Sequence, residues 1–239
     1  LDNIQGIILK KLDYKESSKI IYLYTKEGLK SVLIHGSNKL KSPYLSLTKI
    51  VNHVDLQVSG KELLTLRDGD IICSFQKISN DLEKYTYVSH VLEIIYSFAT
   101  HEHDHEKLYN FLVKILNLVE NNSDYIPYLN MVEIKLTYLL GVNPLFNHCT
   151  SCDKTSGLYF SVVAGGMCCE EHMIGQQIVS NKAVEGLAML YYFDINKDIN
   201  INLDPKLYPE IRLILDKYFE YHLNFKSNSR KMLFGLIGY

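Results

Sequence analysis

Residues 6–36 read GIILKKLDYKESSKIIYLYTKEGLKSVLIHG. Three short apolar runs, Ile4–Lys11, Lys19–Thr25 and Leu29–Gly36, lie in or run into this stretch, and each is rich in Ile, Leu, Val or Tyr. Lys26-Glu27-Gly28 separates the second run from the third, and this pattern predicts strands joined by tight turns. Working outward, Leu47–Val58, Glu62–Leu66 and Asp70–Phe75 continue the pattern, punctuated by Val58-Ser59-Gly60 and Arg67-Asp68-Gly69-Asp70. Five or six strands in under 80 residues predict a small closed barrel or sandwich. The OB-fold is the commonest such barrel with a basic groove.

From Asn80 the period changes. Val88, Val91, Leu92, Ile95, Tyr96 and Ala99 share one helix face behind an Asn80/Asp81 cap, and Leu108, Leu112, Ile115, Leu116 and Val119 repeat the pattern. A third helix starts near Pro127 and stops at Gly141. Ser180 caps a fourth, through Val184, Leu187 and Leu190, and Lys206–Leu223 gives a fifth. The expected fold class is therefore α+β, multi-domain: a barrel over residues 1–79, then a helical domain over 80–239 with an insertion at about 146–176.

The chain has 239 residues, 47% of them hydrophobic and 22% charged, which excludes disorder, collagen and coiled coil. No apolar run approaches the roughly 18–20 residues of a membrane span. The opening Leu1-Asp2-Asn3-Ile4-Gln5-Gly6 lacks the basic-then-apolar layout of a secretory signal, so a soluble cytoplasmic protein is expected. The formal charge of -2 hides an asymmetry: residues 1–80 carry +4 and residues 81–239 carry -6. A basic module on an acidic body is the pattern of a protein that holds a polyanion at one end. The basic residues are mostly Lys, a point charge suited to phosphates, while Arg suits bidentate reading of guanine. Sequence-independent contact follows.

Five cysteines, Cys73, Cys149, Cys152, Cys168 and Cys169, are an odd and clustered set that argues against a disulfide framework. Cys149-Thr150-Ser151-Cys152 is a CxxC, and Cys169-Glu170-Glu171-His172 is a CxxH. Two knuckles with two-residue spacers suit one tetrahedral zinc ion held by Cys149, Cys152, Cys169 and His172. Cys168 offers an alternative CxxxH spacing; Cys169 is favoured because its spacing mirrors the first knuckle. Between the knuckles, Leu158–Val163 reads as a strand and Gly165-Gly166 as its turn. A closed four-ligand site braces structure and leaves no position for catalysis. Cys73 reads as a small buried hydrophobe.

His101-Glu102-His103-Asp104-His105 reads as a polar loop entering a helix. There is no GxGxxG, GxxxxGK[ST] or GxSxG, and no His precedes a Glu by two places as a zinc deaminase requires. No catalytic residues are expected, and the protein is read as a non-enzyme.

These pieces resemble the RecO family of bacterial DNA repair. Gly6–Lys10 with Asp13–Ile20 is similar to the family's first strand and its D-Y-x-E-S-x-K-I segment, and His35–Ser42 resembles its basic K-G-x-R-R-x-K-S loop. Tyr159-Phe160-Ser161, Gly165-Gly166 and Cys169 resemble its Y-F-S…G-G-x-x-C zinc segment. The chain departs from the pattern at His35, Asn38 and Pro43, where basic residues are usual, and at His172, where many relatives have Cys. The resemblance covers nearly the full length.

The resemblance implies an OB-fold that binds single- and double-stranded DNA, and a protein that anneals complementary strands. It also implies help in loading RecA, with RecR, onto strands coated by single-strand-binding protein. The implied partners are DNA, RecR and the acidic, apolar C-terminal tail of single-strand-binding protein, with no membrane; the implied place is the bacterial nucleoid. Lys10, Lys11, Lys19, Lys30, Lys39 and Lys41 are the expected phosphate contacts. Of these, Lys11 and Lys30 come from charge clustering alone. Tyr14, Tyr22, Tyr24 and Tyr44 are candidates to stack bases, and Lys217, Lys226, Arg230 and Lys231 to rim a groove for the acidic tail. The alternative is an RNA-binding or adaptor protein with the same barrel and a structural zinc site.

Overall fold

The computed structural model describes residues 1–39, 42–61, 63–101, 104–229 and 232–233. They form two compact units, residues 1–123 with 232 and 233, and residues 124–229.

In the first unit, β1 (Asp2–Tyr14), β2 (Ser18–Thr25), β3 (Gly28–Ile34), β4 (His53–Ser59) and β5 (Leu64–Cys73) close into a barrel of order β1-β2-β3-β5-β4. This is the OB-fold. Only β3 and β5 run parallel, joined through Val32↔Leu64 and Leu33↔Thr65. Strand alternation sends Ile21 and Leu23, Val32 and Ile34, and Val54, Leu56 and Val58 into one interior cluster with Ile8 and Leu47. Burying each such side chain contributes about 1.5–3 kcal/mol relative to leaving it exposed.

Two stretches differ from the pattern read in the sequence. Leu47 through Asn52 is not strand; it is a run of turns, with Leu47 3% exposed and plugging the barrel, and β4 begins only at His53. An apolar residue here marks a core plug, which periodicity cannot distinguish from a strand. Arg67-Asp68-Gly69-Asp70 is not a turn but the middle of one continuous β5, with Gly69 opposite Leu56. A Cβ at Gly69 would sit 2.6 Å from a Leu56 methyl, so this glycine serves close approach between strands.

Three helices complete the unit: α1 (Gln76–Asn80), α2 (Leu82–Phe98) and α3 (His105–Asn121). Asp81 caps α2, accepting from the Glu83 and Lys84 amides. The outer face of β1 and β2 is covered by α2 and α3, through the Tyr22–Tyr96 edge contact at 5.3 Å and the Tyr24 hydroxyl with His105 Nδ1 at 3.0 Å. His53 Nε2 meets the Tyr109 hydroxyl at 2.7 Å.

The second unit packs α4 (Ile126–Leu139), α5 (Asn181–Tyr192) and α6 (Tyr208–Leu223) together, with a hairpin of β6 (Leu158–Ser161) and β7 (Gly166–Cys169) between α4 and α5 in the chain. Pro127 opens α4, and Ser180 caps α5 through the Ala183 amide. At its centre Arg212 is bidentate to Glu133 at 2.5 and 2.7 Å and bonds Asp216 at 2.8 Å, all three side chains buried. No helix among the described residues is long and apolar enough to cross a membrane.

Candidate metal centre and basic barrel rim

The ligating atoms of Cys149, Cys152, Cys169 and His172 all lie within 4.8 Å of one another. Cys149 Sγ is 3.9 Å from Cys169 Sγ and 3.7 Å from His172 Nδ1; Cys169 Sγ is 3.9 Å from Cys152 Sγ and 3.2 Å from His172 Nδ1. A tetrahedron with 2.3 Å zinc–sulfur arms has an edge of about 3.8 Å, so these donors fit one ion in both chemistry and spacing.

The local fold explains the convergence. Leu145 pairs with the turn of the hairpin: its amide donates to Gly165 O at 3.1 Å and its carbonyl accepts from Met167 N at 2.8 Å. At Gly166 a Cβ would fall 2.5 Å from Leu145 O, so only glycine lets the strands approach. The Thr150 amide donates to Met167 O at 2.8 Å, holding the first knuckle against β7. Alternation along β7 turns Cys169 toward the cluster and Cys168 to the other face, where its sulfur lies 3.3 Å from Thr150 Oγ1. The amides of Cys169, Ser151 and Cys152 point at Cys149 and draw its thiol down to about 6, against the opposing effect of burial. A depressed thiol pKa favours the thiolate, the form that ligates metal. Lys154 and Glu171 pair at 3.0 Å beside the cluster.

The barrel lysines do not form one row. Lys10 lies opposite Tyr22 on the outer face, its ammonium 4.6 Å above the Tyr96 ring of α2. Lys30 sits opposite Leu23 and pairs with Glu27 at 2.9 Å, about 13 Å along β2 from Lys19 at 3.3 Å per residue. Lys11 and Lys19 come together at the other end of the barrel, where Lys11 lies opposite Ile21 and Lys19 opposite Asp13. Burial, then Lys19 and Lys49, lowers the Lys11 pKa, while Asp13 opposes the shift. Lys39 is exposed on the 35–39 turn, which the Asn38 amide ties to Ser17 O at 3.1 Å. Lys41 lies outside the described residues.

Of the candidate stacking residues, Tyr24 is fully buried and Tyr22 is half-buried against Tyr96, so neither offers a free ring face. Tyr44 packs on the barrel core, and Tyr14 is 36% exposed. Glu102 and His103 also lie outside the described residues.

A family model described as Recombination protein O N terminal matches residues 2–75, and one described as Recombination protein O C terminal matches residues 79–231. The chain belongs to the RecO family. It is 28% identical over 237 residues to the DNA repair protein RecO of Bacillus cereus (strain AH187), covering 96% of this chain and 95% of that one. The DNA repair protein RecO of Bacillus anthracis gives the same figures, and that of Bacillus cytotoxicus is 27% identical over 236 residues, with 96% and 95% covered. The chain is thus a DNA repair and recombination protein of the RecO family.

Against the RecO motif, the departures in the 35–42 loop act on the structure locally. Asn38 accepts from Lys19 Nζ and donates to Asp13 Oδ1 at 3.1 Å, so an amide bridges the two charges where an Arg is usual. Lys19 lies 3.6 Å from Asp13, and its side chain is only 13% exposed. The residue that sequence reasoning missed is Lys49, exposed and close enough to Lys11 to shift its pKa. It was hidden in a segment that reads as strand but folds as turns.

Proposed function

We propose that this RecO-family chain works without bond chemistry, holding single- and double-stranded DNA by its phosphates and bringing complementary strands together to anneal. With RecR it helps load RecA onto strands coated by single-strand-binding protein. The observation that carries this reading is the gathering of Lys11, Lys19 and Lys49 at one rim of the OB barrel, with Lys39 exposed on the adjoining turn. Like charges held together repel one another, and a polyanion relieves that repulsion while releasing counterions. Annealing needs two strands held close with their charge neutralised, which such a rim supplies. Lys10 and Lys30, packed on Tyr96 and paired to Glu27, contribute less.

One zinc ion is held by Cys149, Cys152, Cys169 and His172. Four protein ligands fill a tetrahedral shell, so the ion braces the hairpin and leaves no open coordination position. In the second unit a cavity of about 600 Å³ is lined by Phe160, Val162, Ile174, Ile178, Tyr221 and Lys217. Glu220 also lines it but is paired with Lys226, so an apolar floor beside the exposed Lys217 suits the acidic, apolar tail of single-strand-binding protein. Lys226 is engaged with Glu220 at 2.7 Å, and Arg230 and Lys231 lie outside the described residues. The protein then works in the bacterial cytoplasm, at the nucleoid.

Fluorescence anisotropy of a labelled strand, titrated with protein at several salt concentrations, tests the DNA reading. With Lys11, Lys39 and Lys49 each contributing about -0.7, and Lys19 held by Asp13 as Lys30 is by Glu27, log K should fall against log salt with a slope of about -2. The double variant Lys11→Glu/Lys39→Glu should weaken binding by about tenfold or more at low salt. A salt-independent affinity, or a variant that binds as well as the parent, would overturn it.

A further inference from the structure

Strand alternation puts Lys19 on the same face of β2 as Ile21 and Leu23, but past the aliphatic core, at the mouth of the barrel. Its side chain is 13% exposed, so its ammonium needs an anion or an acceptor beside it. Two groups meet it. Asn38 Oδ1 accepts from Nζ, and Asp13, directly opposite on β1, brings Oδ1 to 3.6 Å. The ammonium only donates, so Asn38 must turn its oxygen to Lys19 and its Nδ2 away from it. That Nδ2 donates to Asp13 Oδ1 at 3.1 Å. One carboxylate oxygen is thus faced by a cation and an amide N–H together, the kind of donor pair that also receives a phosphate oxygen.

Asn38 does not need Asp13 to stay in place. Its backbone amide donates to Ser17 O at 3.1 Å, its Nδ2 also faces Ser18 O at 3.4 Å, and Ser37 Oγ ties the same turn to Ile34 O at 3.0 Å. Asp13 has no such support. Among the described residues its side chain bonds only Lys19 and Asn38, and it is 77% exposed. At 3.6 Å and open to solvent, its ion pair with Lys19 is weak. The two donors are therefore built into the fold, while the anion between them hangs from the surface. Lys11 is the diagonal neighbour of Lys19 across the hairpin, its backbone about 7–8 Å away. A strand that meets Lys11 passes beside these donors.

We infer that Asp13 is an internal stand-in for a DNA phosphate: it fills an anion seat made by Lys19 and Asn38 and holds the barrel rim one phosphate contact short. This rests on the reading of the rim as a DNA-binding surface. With the Asp13 carboxylate removed, Lys19 Nζ and Asn38 Nδ2 together receive a phosphate oxygen. With it in place, the rim grips a strand through Lys11, Lys39 and Lys49 and releases it sooner. Early release suits a protein that must let go of each annealed pair.

The test measures anisotropy of a labelled single strand against salt for the parent, Asp13→Asn, Lys19→Gln and the double variant. Asparagine at this position keeps the shape and still accepts from Asn38, but carries no charge. Asp13→Asn should bind about fivefold more tightly at about 0.1 M salt and steepen the slope by about 0.7, from about -2 to about -3. The gain should vanish in the double variant, where the seat has lost its cation. Unchanged or weaker binding by Asp13→Asn would overturn the stand-in and leave Asp13 a brace for the turn. A gain that survives Lys19→Gln would overturn it as well, as plain relief of repulsion. Either result leaves the DNA-binding reading standing. Failure of the parent to bind the strand at low salt would overturn both.

Discussion

The two compact units use polar side chains in opposite ways. In the second, polar groups converge inside: three thiols and an imidazole within 4.8 Å, and Arg212 between Glu133 and Asp216 with all three side chains no more than 3% exposed. In the first, the barrel core is aliphatic, and most of its charges sit outside in separate local arrangements, such as Lys10 on Tyr96, Lys19 by Asp13 and Lys30 by Glu27. One unit uses polar chemistry to hold its own shape. The other holds its shape by apolar burial, which leaves lysines on its surface for a ligand. If that contrast is right, removing one of these buried polar groups should unfold something in the second unit, and removing a surface lysine of the barrel should unfold little in the first.

The metal cluster should give the largest effect. The β6–β7 hairpin has only four residues on each strand, too little to be stable by itself. Its buried Phe160 stacks on Phe146 at 5.8 Å, and the proposed zinc would do most of the fixing through four convergent donors. Cys152→Ser should abolish stoichiometric zinc in the purified protein and lower Tm by about 10 °C or more, because structural zinc binding is folding free energy. Elemental analysis with a thermal melt measures both. A variant that loses the metal yet melts with the parent would break the contrast at its strongest point.

Next comes Arg212. Replacing it by Met removes the cation and leaves Glu133 and Asp216 in a dry interior. Breaking a buried ion pair from one side costs about 3–5 kcal/mol, so Arg212→Met should shift the denaturation midpoint by that amount. A change below about 1 kcal/mol would mean that water reaches this network and that its burial is nominal.

The reach of the sequence follows the same division. The four clustered side chains were legible because knuckle spacing is local: two residues lie within each pair, and the mirrored spacing favoured Cys169 over Cys168, the one that β7 turns toward the cluster. Helices α2 to α6 were legible from their periodicity and caps, notably Asp81 and Ser180. The short α1 carries no periodic signal over five residues, and Leu47 and Gly69 misled because a core plug resembles a strand and a close approach resembles a turn. The lysine surface was the least legible part. The family motif for Lys10, and clustering in sequence for Lys11 and Lys30, placed the three in one groove, while the barrel sends them to an outer face, a rim and a far hairpin. Lys49 joins the rim only because the chain returns to β1 through Val51 and Asn52, a contact no local pattern announces.

Lys30 gives the smallest expected effect and therefore the sharpest test of how charge is divided within the barrel. Its partner Glu27 is 77% exposed and its own side chain 32% exposed, so the pair sits in a high-dielectric setting and is worth at most about 1 kcal/mol. Lys30→Ala should change stability by no more than about 0.5 kcal/mol in urea titration. More tellingly, its DNA affinity should keep the parent's salt slope, because a lysine already neutralised by Glu27 and distant from the rim releases no counterion when DNA binds. A slope made shallower by about 0.7 would show instead that the strand runs the length of β2 and β3, displacing Glu27 from Lys30 as it passes. In that case the binding surface would be the six-lysine path expected from sequence, and the rim only its beginning.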